Sequence, residues 1–464
     1  MAETFDVVVV GGGPGGYVCA IRAAQLGLKT AVVERERLGG ICLNWGCIPT
    51  KALLRSSEIF HLMHRLGEFG FSAENLKIDF QKIVDRSRKV SQQLSNGVAF
   101  LMKKHKITVL KGEGTLQGAK SVKVGAEVHT ATKAVVLATG SRVKGIPQIG
   151  LELNRTTVIS SDEALLLEQA PASLAIVGAG AVGTEFADIF NAFGTRVTLI
   201  EVLPRILPIE DAESSAAIAR SFNKRKIQVL AGAKVSQAMV AKDKVTLKVE
   251  SGGKTETIEV DKVLMAAGRA VNTESPGFKE SGVQVNDRGF VKVNPATLET
   301  TVKGVYCIGD VAGPPMLAHK GSREGVFVAE LIAGRQPHPI RYDNIPSVTY
   351  CHPEVASIGL TEEQCQQQKL DFQIGKFPFT ANGRARTAGE TEGLVKVIRD
   401  KRYGEILGAH IVGAHASEII HELAVARENE YTVEEVDLAV HAHPTLSEAV
   451  AEACLDSMGR ALNI

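Results

Sequence analysis

One pattern occurs twice in this chain, and it constrains the fold more than any other feature. Phe5-Asp6-Val7-Val8-Val9-Val10 runs into Gly11-Gly12-Gly13-Pro14-Gly15-Gly16, residues 17–27 carry helix-compatible apolar spacing, and Lys29 to Glu34 reads as a second strand. Ala175-Ile176-Val177 likewise runs into Gly178-Ala179-Gly180-Ala181-Val182-Gly183, followed by a second strand from Arg196 to Glu201. The offset between the copies is 167 residues throughout: Gly11 to Gly178, Gly16 to Gly183, Glu34 to Glu201. A continuous β-branched run ending in glycine predicts a parallel strand buried on both faces. Each copy also closes on a hydrophobic strand ending in glycine, Val135 to Gly140 and Val263 to Gly268. Two α/β domains of common design follow, rather than a short-period solenoid.

A Gly-x-Gly-x-x-Gly run alone is weak evidence, because isolated glycine-rich turns are common. Here both copies follow a strand, open a helix and reach a carboxylate 18 residues after the last glycine. Gly11 and Gly178 permit the tight turn, Gly13 and Gly180 let the backbone approach a pyrophosphate, and Gly16 and Gly183 let helix pack on strand. The helix N-terminus then offers unpaired N–H groups to the phosphates. Pro14 suits a first helical turn, where its missing N–H costs nothing. These features predict two Rossmann-like dinucleotide-binding domains. Glu34 and Glu201 end the second strands, where a carboxylate accepts hydrogen bonds from ribose hydroxyls and repels a 2′-phosphate. Glu201 therefore points to NAD over NADP.

The 464 residues suggest about three domains, and 53 basic against 52 acidic residues leave a net charge of +1. That balance argues against nucleic acid or a membrane surface as the main partner. No apolar run reaches the roughly 20 residues of a membrane helix, and a strand starting at Phe5 leaves no room for a signal peptide. A cytoplasmic chain is expected. In that reducing compartment the seven cysteines should mostly be free thiols, and a pair that does bond should be catalytic.

Gly39-Gly40-Ile41-Cys42-Leu43-Asn44-Trp45-Gly46-Cys47-Ile48-Pro49-Thr50-Lys51 holds two of those cysteines. They could be core thiols, since buried free cysteine is common. Half a zinc site is a second reading, but no other Cys pair or close Cys–His cluster supplies the remaining ligands, and no metal is expected. A reversible disulfide is the third: i and i+5 come within bridging reach if a helix start is distorted, and a helix N-terminus lowers a thiol pKa. Near the C-terminus stands His441-Ala442-His443-Pro444-Thr445-Leu446-Ser447-Glu448. Thr445-x-x-Glu448 has the form of a helix capping box, as does Thr432-x-x-Glu435. A histidine there is also suited to take a proton from a thiol at neutral pH, with Glu448 as its orienting partner.

The cysteine run resembles the Gly-Gly-x-Cys-Leu-Asn-x-Gly-Cys-Ile-Pro-Ser-Lys signature of the class I pyridine nucleotide–disulfide oxidoreductases. Within them it looks most similar to the dihydrolipoamide dehydrogenases. Trp45 and Thr50 depart from the commonest pattern. The resemblance covers nearly the whole chain, and it implies FAD, NAD and a Cys42–Cys47 redox disulfide. It makes Lys51 the lysine beside the reactive edge of the flavin. It assigns Gly114, Thr139, Gly140, Asp310 and the Ala318-His319 backbone to the flavin site, and Glu185, Val235 and Gly268 to the surroundings of NAD. Gly321-Ser322-Arg323 stands where the family usually has acidic residues. The His-x-His-Pro-Thr-x-Ser-Glu match makes His443, not His441, the base. The implied layout is 1–148 and 269–343 for FAD, 149–268 for NAD, and 344–464 as a C-terminal α+β dimerisation domain, with strand-like runs to about 413 and helices afterwards. Residues Ser141–Gly150 read as the link into the NAD domain. A homodimer is implied, as are partners bearing lipoyl groups in 2-oxoacid dehydrogenase or glycine-cleavage complexes. Among relatives, a glutathione reductase is disfavoured by Glu201, and enzymes with a second redox pair by the cysteine-free tail Gly459–Ile464. A non-catalytic flavoprotein is disfavoured by the presence of Cys42, Cys47 and His443 together.

Overall fold

The computed structural model describes residues 2–274 and 277–464, which fall into two compact units. The first comprises Met1–Ala52, Gln81–Lys144 and Gly268–Ile340; the second comprises Leu53–Phe80, Gly145–Ala267 and Arg341–Ile464.

The first unit is built on the sheet that the opening valines predict. Strand Thr4–Val10 lies between Thr30–Glu34 and Glu127–Leu137, parallel to both, and Thr108–Lys111 extends the sheet beyond Thr30–Glu34. Val305–Cys307 adds a further parallel strand against Glu127–Leu137. Successive residues of a strand face opposite sides. Val8 and Val10 therefore enter one core with Val33, Val135 and Val305, while Val7 and Val9 enter another with Ala20, Val32 and Val328. Burial on both faces is why the strand reads as an unbroken apolar run. Helix Pro14–Gln25 packs on helix Ala318–Ile332 at glycines: a Cβ on Gly325 would sit 2.5 Å from the Gly15 carbonyl oxygen.

Part of the expected linker is structured. Ser141–Val143 forms a short antiparallel pair with Arg269–Val271, so the chain leaves and re-enters this unit side by side. Sequence spacing showed the Gly and Pro of this stretch but not its distant strand partner.

The second unit holds three sheets. Gln228–Ala231, Arg196–Glu201, Ser173–Val177, Lys262–Met265 and Val158–Ile159 make a parallel sheet, and helix Ala181–Ala192 connects its repeat strands. Ala233–Val240, Val245–Ser251 and Lys254–Val260 make an antiparallel meander. The C-terminal region is an antiparallel sheet in the order Ser347–Thr349, Glu354–Gly359, Ile406–Gly413, Leu394–Asp400, Phe372–Pro378. Helices Ala416–Glu428, Val433–Leu438 and Glu448–Ser457 bury Ile420, Leu423, Val433, Val450 and Ala453 against it. This is the strands-then-helices order expected for residues 344–464, with short helices Glu362–Gln367 and Gly383–Ala388 interleaved among the strands. The fold is α/β with two Rossmann-like portions and an α+β C-terminal domain. Among the described residues, no helix is long and apolar enough to cross a membrane, and no group of three or more His, Cys, Asp or Glu side chains is arranged to hold a metal ion.

Candidate active site

The redox turn is built by two helices meeting at a glycine. Helix Gly40–Trp45 carries Cys42, and helix Cys47–Met63 begins at the second cysteine. Gly46 breaks the path between them, with φ −147° and ψ −113°. A single distorted helical turn was the expectation; instead the distortion is a full break that starts a new helix at Cys47. The turn sits directly on the first glycine loop. The Gly39 amide donates to the Gly12 carbonyl at 2.8 Å, and a Cβ on Gly40 would lie 2.7 Å from Gly13 Cα. Any side chain at position 40 would lift the cysteines off that loop.

A helix of six residues does not hold itself together in water. Here its anchors are tertiary. Asn44 is buried, and its Nδ2 donates to the carbonyls of Leu38 at 3.1 Å and Gly40 at 2.9 Å. Arg88, from helix Phe80–Lys104, donates to the Asn44 carbonyl at 2.6 Å and stacks 4.5 Å above the Trp45 ring centre. Trp45, a departure from the commonest family pattern, thus has a defined partner.

Cys42 and Cys47 stand as a hydrogen-bonded thiol pair. The bond to Cys47, then burial, pushes the Cys42 thiol far up, against the opposing pull of the Lys51 charge. That disfavours the Cys42 thiolate, so the thiol needs a base before it can serve as a nucleophile. The same surroundings reach Tyr17, whose hydroxyl is pushed up by burial and then by Cys42 and Cys47. Sequence reasoning did not single out Tyr17; its one signal is its place just after the first glycine loop.

The two glycine loops repeat each other in detail. Gly11 has φ +110° and Gly178 has φ +102°. A Cβ on Gly16 would come 1.8 Å from the Gly11 carbonyl oxygen, and one on Gly183 would come 1.9 Å from that of Gly178. At the middle positions space is left: a Cβ on Gly13 would meet only Gly40, at 4.0 Å, and one on Gly180 would meet nothing within 4 Å. Gly13 and Gly180 are also the N-caps of helices Pro14–Gln25 and Ala181–Ala192, and no side chain caps either helix. Unclaimed amides beside an open cradle fit a pyrophosphate.

Glu34 and Glu201 are more than strand ends. Glu34 Oε2 accepts the Gly12 amide at 2.8 Å and Oε1 the Glu36 amide at 2.8 Å. Glu201 repeats this with the Ala179 amide at 2.7 Å and the Leu203 amide at 2.9 Å. Each carboxylate braces its own glycine loop, and Glu201 is buried. That bracing was not visible in the sequence, which read the two glutamates only as ribose acceptors.

Around the first loop, Thr139 Oγ1 donates to the Asn272 carbonyl at 2.9 Å, and Asn272 Nδ2 returns a bond to the Thr139 carbonyl at 2.8 Å. Asn272, distant in sequence, carried no motif. Gly140 has φ +69°, and its carbonyl accepts the Asn272 amide. Gly114 opens strand Gly114–Leu116, where a Cβ would press on Val10 and Val33 at 2.9 and 3.1 Å. Asp310 lies in the 3-10 turn Gly309–Ala312, and its Oδ2 accepts the Ser141 hydroxyl at 2.5 Å. Ala318 and His319 open helix Ala318–Ile332. Gly11, Gly13, Gly16, Glu34, Gly114, Thr139, Gly140, Asp310, Ala318, His319, Cys42, Cys47, Lys51 and Gly268 all lie in the first unit. These donors and the open cradle fit a flavin dinucleotide.

Gly178, Gly180, Gly183, Glu185, Glu201, Val235, His443 and Glu448 lie in the second unit. Glu185 is buried on helix Ala181–Ala192, and its Oε1 accepts the Tyr350 amide at 3.0 Å. One helical turn on, Asp188 pairs with Arg225 and accepts the His352 amide at 2.9 Å. Burial opposes the Asp188 charge, but Arg225, then His61 and His352, hold its pKa down at about 2. Val235 is buried in the strand Ala233–Val240.

His443 and His441 differ sharply. His441 is tied at both ring nitrogens, to the Ala439 carbonyl at 2.7 Å and to Glu422 at 2.6 Å. His443 Nδ1 meets Glu448 Oε1 at 2.8 Å, and its side chain is 79% exposed. Glu448 Oε2 accepts the Thr445 amide at 2.7 Å. Burial works against the Glu448 charge, but the Thr445 amide and His443 outweigh it and hold the carboxyl below its usual range. The expected Thr445 capping box is only half made. Helix Glu448–Ser457 starts three residues after Thr445, with Ser447 as its N-cap, and Thr445 Oγ1 makes no hydrogen bond among the described residues. Glu448 is instead engaged by His443. The Thr432–Glu435 box is complete.

Two glycine-loop dinucleotide folds, a hydrogen-bonded cysteine pair seated on the first loop and a carboxylate-held histidine define a flavin-dependent disulfide oxidoreductase. The chain belongs to the pyridine nucleotide-disulphide oxidoreductases: it matches that family over residues 5–325 and the family's dimerisation domain over residues 345–454. It is 45% identical to dihydrolipoyl dehydrogenase of Rhizobium etli and 44% identical to that of Zymomonas mobilis, over 100% of each chain. It is 40% identical to the mitochondrial dihydrolipoyl dehydrogenase of Pisum sativum, over 99% of this chain and 92% of that one. Among solved structures, LpdA from Mycobacterium tuberculosis has the same fold, with a TM-score of 0.89 at 24% identity over 98% of this chain and 99% of that one. The family's cofactors are FAD and NAD, and the match to its dimerisation domain supports a homodimer.

Proposed function

We propose that this enzyme oxidises dihydrolipoyl groups to lipoyl groups and delivers the electrons to NAD. The observation that carries the reading is the Cys42–Cys47 pair, straddling the Gly46 break and seated on the first glycine loop. In the oxidised enzyme these residues form a disulfide. His443 takes the proton of one substrate thiol, and Glu448 orients its ring and favours the imidazolium that results. The substrate thiolate attacks Cys42 Sγ, forming a mixed disulfide and releasing Cys47 as a thiolate. Cys42 then leaves the mixed disulfide with the proton that His443 held, as the second substrate thiol gives its own proton to the freed His443, attacks the substrate sulfur and closes the lipoyl ring. Lys51 supplies positive charge near the pair while the thiolate persists. Gly11, Gly13, Gly16, Glu34 and Asp310 would hold FAD, which would take the electron pair released when Cys42 loses its proton and re-forms the disulfide with Cys47, and would pass that pair to NAD as hydride. Glu185 and Val235 line the approach of the coenzyme beside Gly178, Gly180 and Gly183. The substrate is carried on lipoyl-bearing domains of 2-oxoacid dehydrogenase or glycine-cleavage complexes, and the enzyme works in the cytoplasm.

The test is NADH formation by the purified flavoprotein from free dihydrolipoamide, with NADP and glutathione as controls. Turnover with dihydrolipoamide and NAD, and far less with either control, is expected. Absent NADH formation, or a preference for glutathione, overturns the reading.

Coenzyme choice rests on Glu201. In Glu201→Gln the charge that repels a 2′-phosphate is gone, and one of the two amide bonds at the loop is lost with it. The NAD/NADP ratio of kcat/KM should fall by about 1–3 kcal/mol, the range of a hydrogen bond to a charged group. Kinetics with both coenzymes check this, and an unchanged ratio places coenzyme choice elsewhere.

A further inference from the structure

We propose that a buried Lys320–Glu324 pair and an Arg269–Ser141 relay fix Asp310 in place for the flavin, making these four residues positioning groups for cofactor retention. The proposal rests on the reading of Asp310 as a flavin-binding carboxylate. Lys320 and Glu324 face each other one helical turn apart on Ala318–Ile332, at 3.1 Å, with side chains only 2% and 1% exposed. Lysine has three N–H donors. Lys320 directs them to Glu324, to the Gly309 carbonyl at 3.0 Å and to the Gly313 carbonyl at 2.8 Å. Glu324 Oε2 accepts the Gly309 amide at 2.7 Å. The pair thus takes the N–H and C=O of Gly309 and reaches across to Gly313, gripping both ends of the turn Gly309–Ala312 that displays Asp310.

The side chain of Asp310 is held separately. Ser141 donates to it at 2.5 Å, and Arg269 donates to Ser141 through Nε at 2.7 Å and Nη2 at 3.0 Å. One support fixes the backbone of the turn and the other the carboxylate. Gly321 lets the helix come close enough: a Cβ there would lie 3.3 Å from Gly309 Cα. That gives Gly321 a packing use, and the acid that braces the turn is Glu324.

Burying an ion pair adds little to stability by itself, and well-packed apolar residues often do as well or better. Removing one partner is damaging for the opposite reason, because it strands a buried charge. The informative variant is therefore the double replacement Lys320→Met/Glu324→Leu, with Ser141→Ala as an independent change that deletes one hydroxyl. Each is purified as the holoenzyme. FAD release after dilution is followed by the rise in flavin fluorescence, and unfolding by far-UV circular dichroism. Melting close to wild type with FAD release faster on the order of 10–100-fold, as for loss of groups that orient a cofactor's ligands, is expected in both. Wild-type FAD release in a folded double variant overturns the role of the ion pair and reduces it to a packing element. If the double variant does not fold, Ser141→Ala decides: fast release supports the supports-before-cofactor arrangement, and wild-type release overturns it. Asp310→Asn is run beside them. Wild-type FAD retention in Asp310→Asn overturns the flavin reading of Asp310 and the proposal with it. Loss of FAD there, with wild-type retention in the support variants, overturns the proposal alone.

Discussion

Cys42→Ser should lose dihydrolipoamide turnover on the order of 10⁴-fold or more, the scale on which removal of a covalent catalytic group acts, while keeping its flavin. A serine hydroxyl has nearly the shape of the thiol but forms no disulfide, so the substrate thiolate has nothing to attack. Flavin binding should persist, because the groups that fit the dinucleotide are the amides and carboxylates of Gly11–Gly16, Glu34 and Asp310. The same variant leaves Cys47 without its partner. The Cys47 thiolate, beside oxidised flavin, should then give a long-wavelength absorption band with no reductant added, whereas the parent enzyme should need two electrons to show it. Turnover assays and an absorption spectrum of the purified variant check both statements. Substantial lipoamide activity in Cys42→Ser would sink the disulfide mechanism.

The second large effect concerns where the base comes from. His443 lies some 400 residues after Cys42, and its side chain is largely exposed and hydrogen-bonded to Glu448. We expect the C-terminal domain to lend His443 to the flavin and disulfide of the partner subunit. A two-fold interface then creates two equivalent composite sites. In a mixed dimer of a Cys42→Ser chain and a His443→Ala chain, one site would contain both lesions and the other neither. Such a dimer should recover about half of wild-type activity, while each parent dimer stays nearly inactive through loss of the nucleophile or of the base. If both residues acted within one chain, each site would hold one lesion and no activity would return. Purified mixed dimers without recovery therefore count against a shared site and leave the disulfide chemistry untouched.

Much of this molecule was legible because its chemistry is local in sequence. The glycine loops, their strands and their helices are contiguous, and steric limits on glycine leave few alternatives, as the 1.8 and 1.9 Å approaches at Gly16 and Gly183 show. The cysteine run was readable for the same reason. What escaped was long-range. Asn272 closes on Thr139 across 133 residues, and Arg269 reaches Ser141 across 128. Glu201 turned out to brace its loop because a strand end and a turn 22 residues apart meet in space. Thr445-x-x-Glu448 misled in part: the spacing of a capping box is also the spacing that brings Glu448 back to the Thr445 amide while its other oxygen serves His443. Periodicity alone has no way to choose between these uses.

The seating of the redox turn also sets the two repeated loops apart. A Cβ on Gly40 would lie 2.7 Å from Gly13 Cα, so the cysteine turn abuts the first loop beside its open cradle, whereas a Cβ on the matching Gly180 would meet nothing within 4 Å. A nucleotide on the first loop should therefore exchange more slowly than one on the second, which dissociation rates of FAD and NAD would check. The residue that makes this difference, Gly40, is in neither glycine motif but in the turn that bears the cysteines.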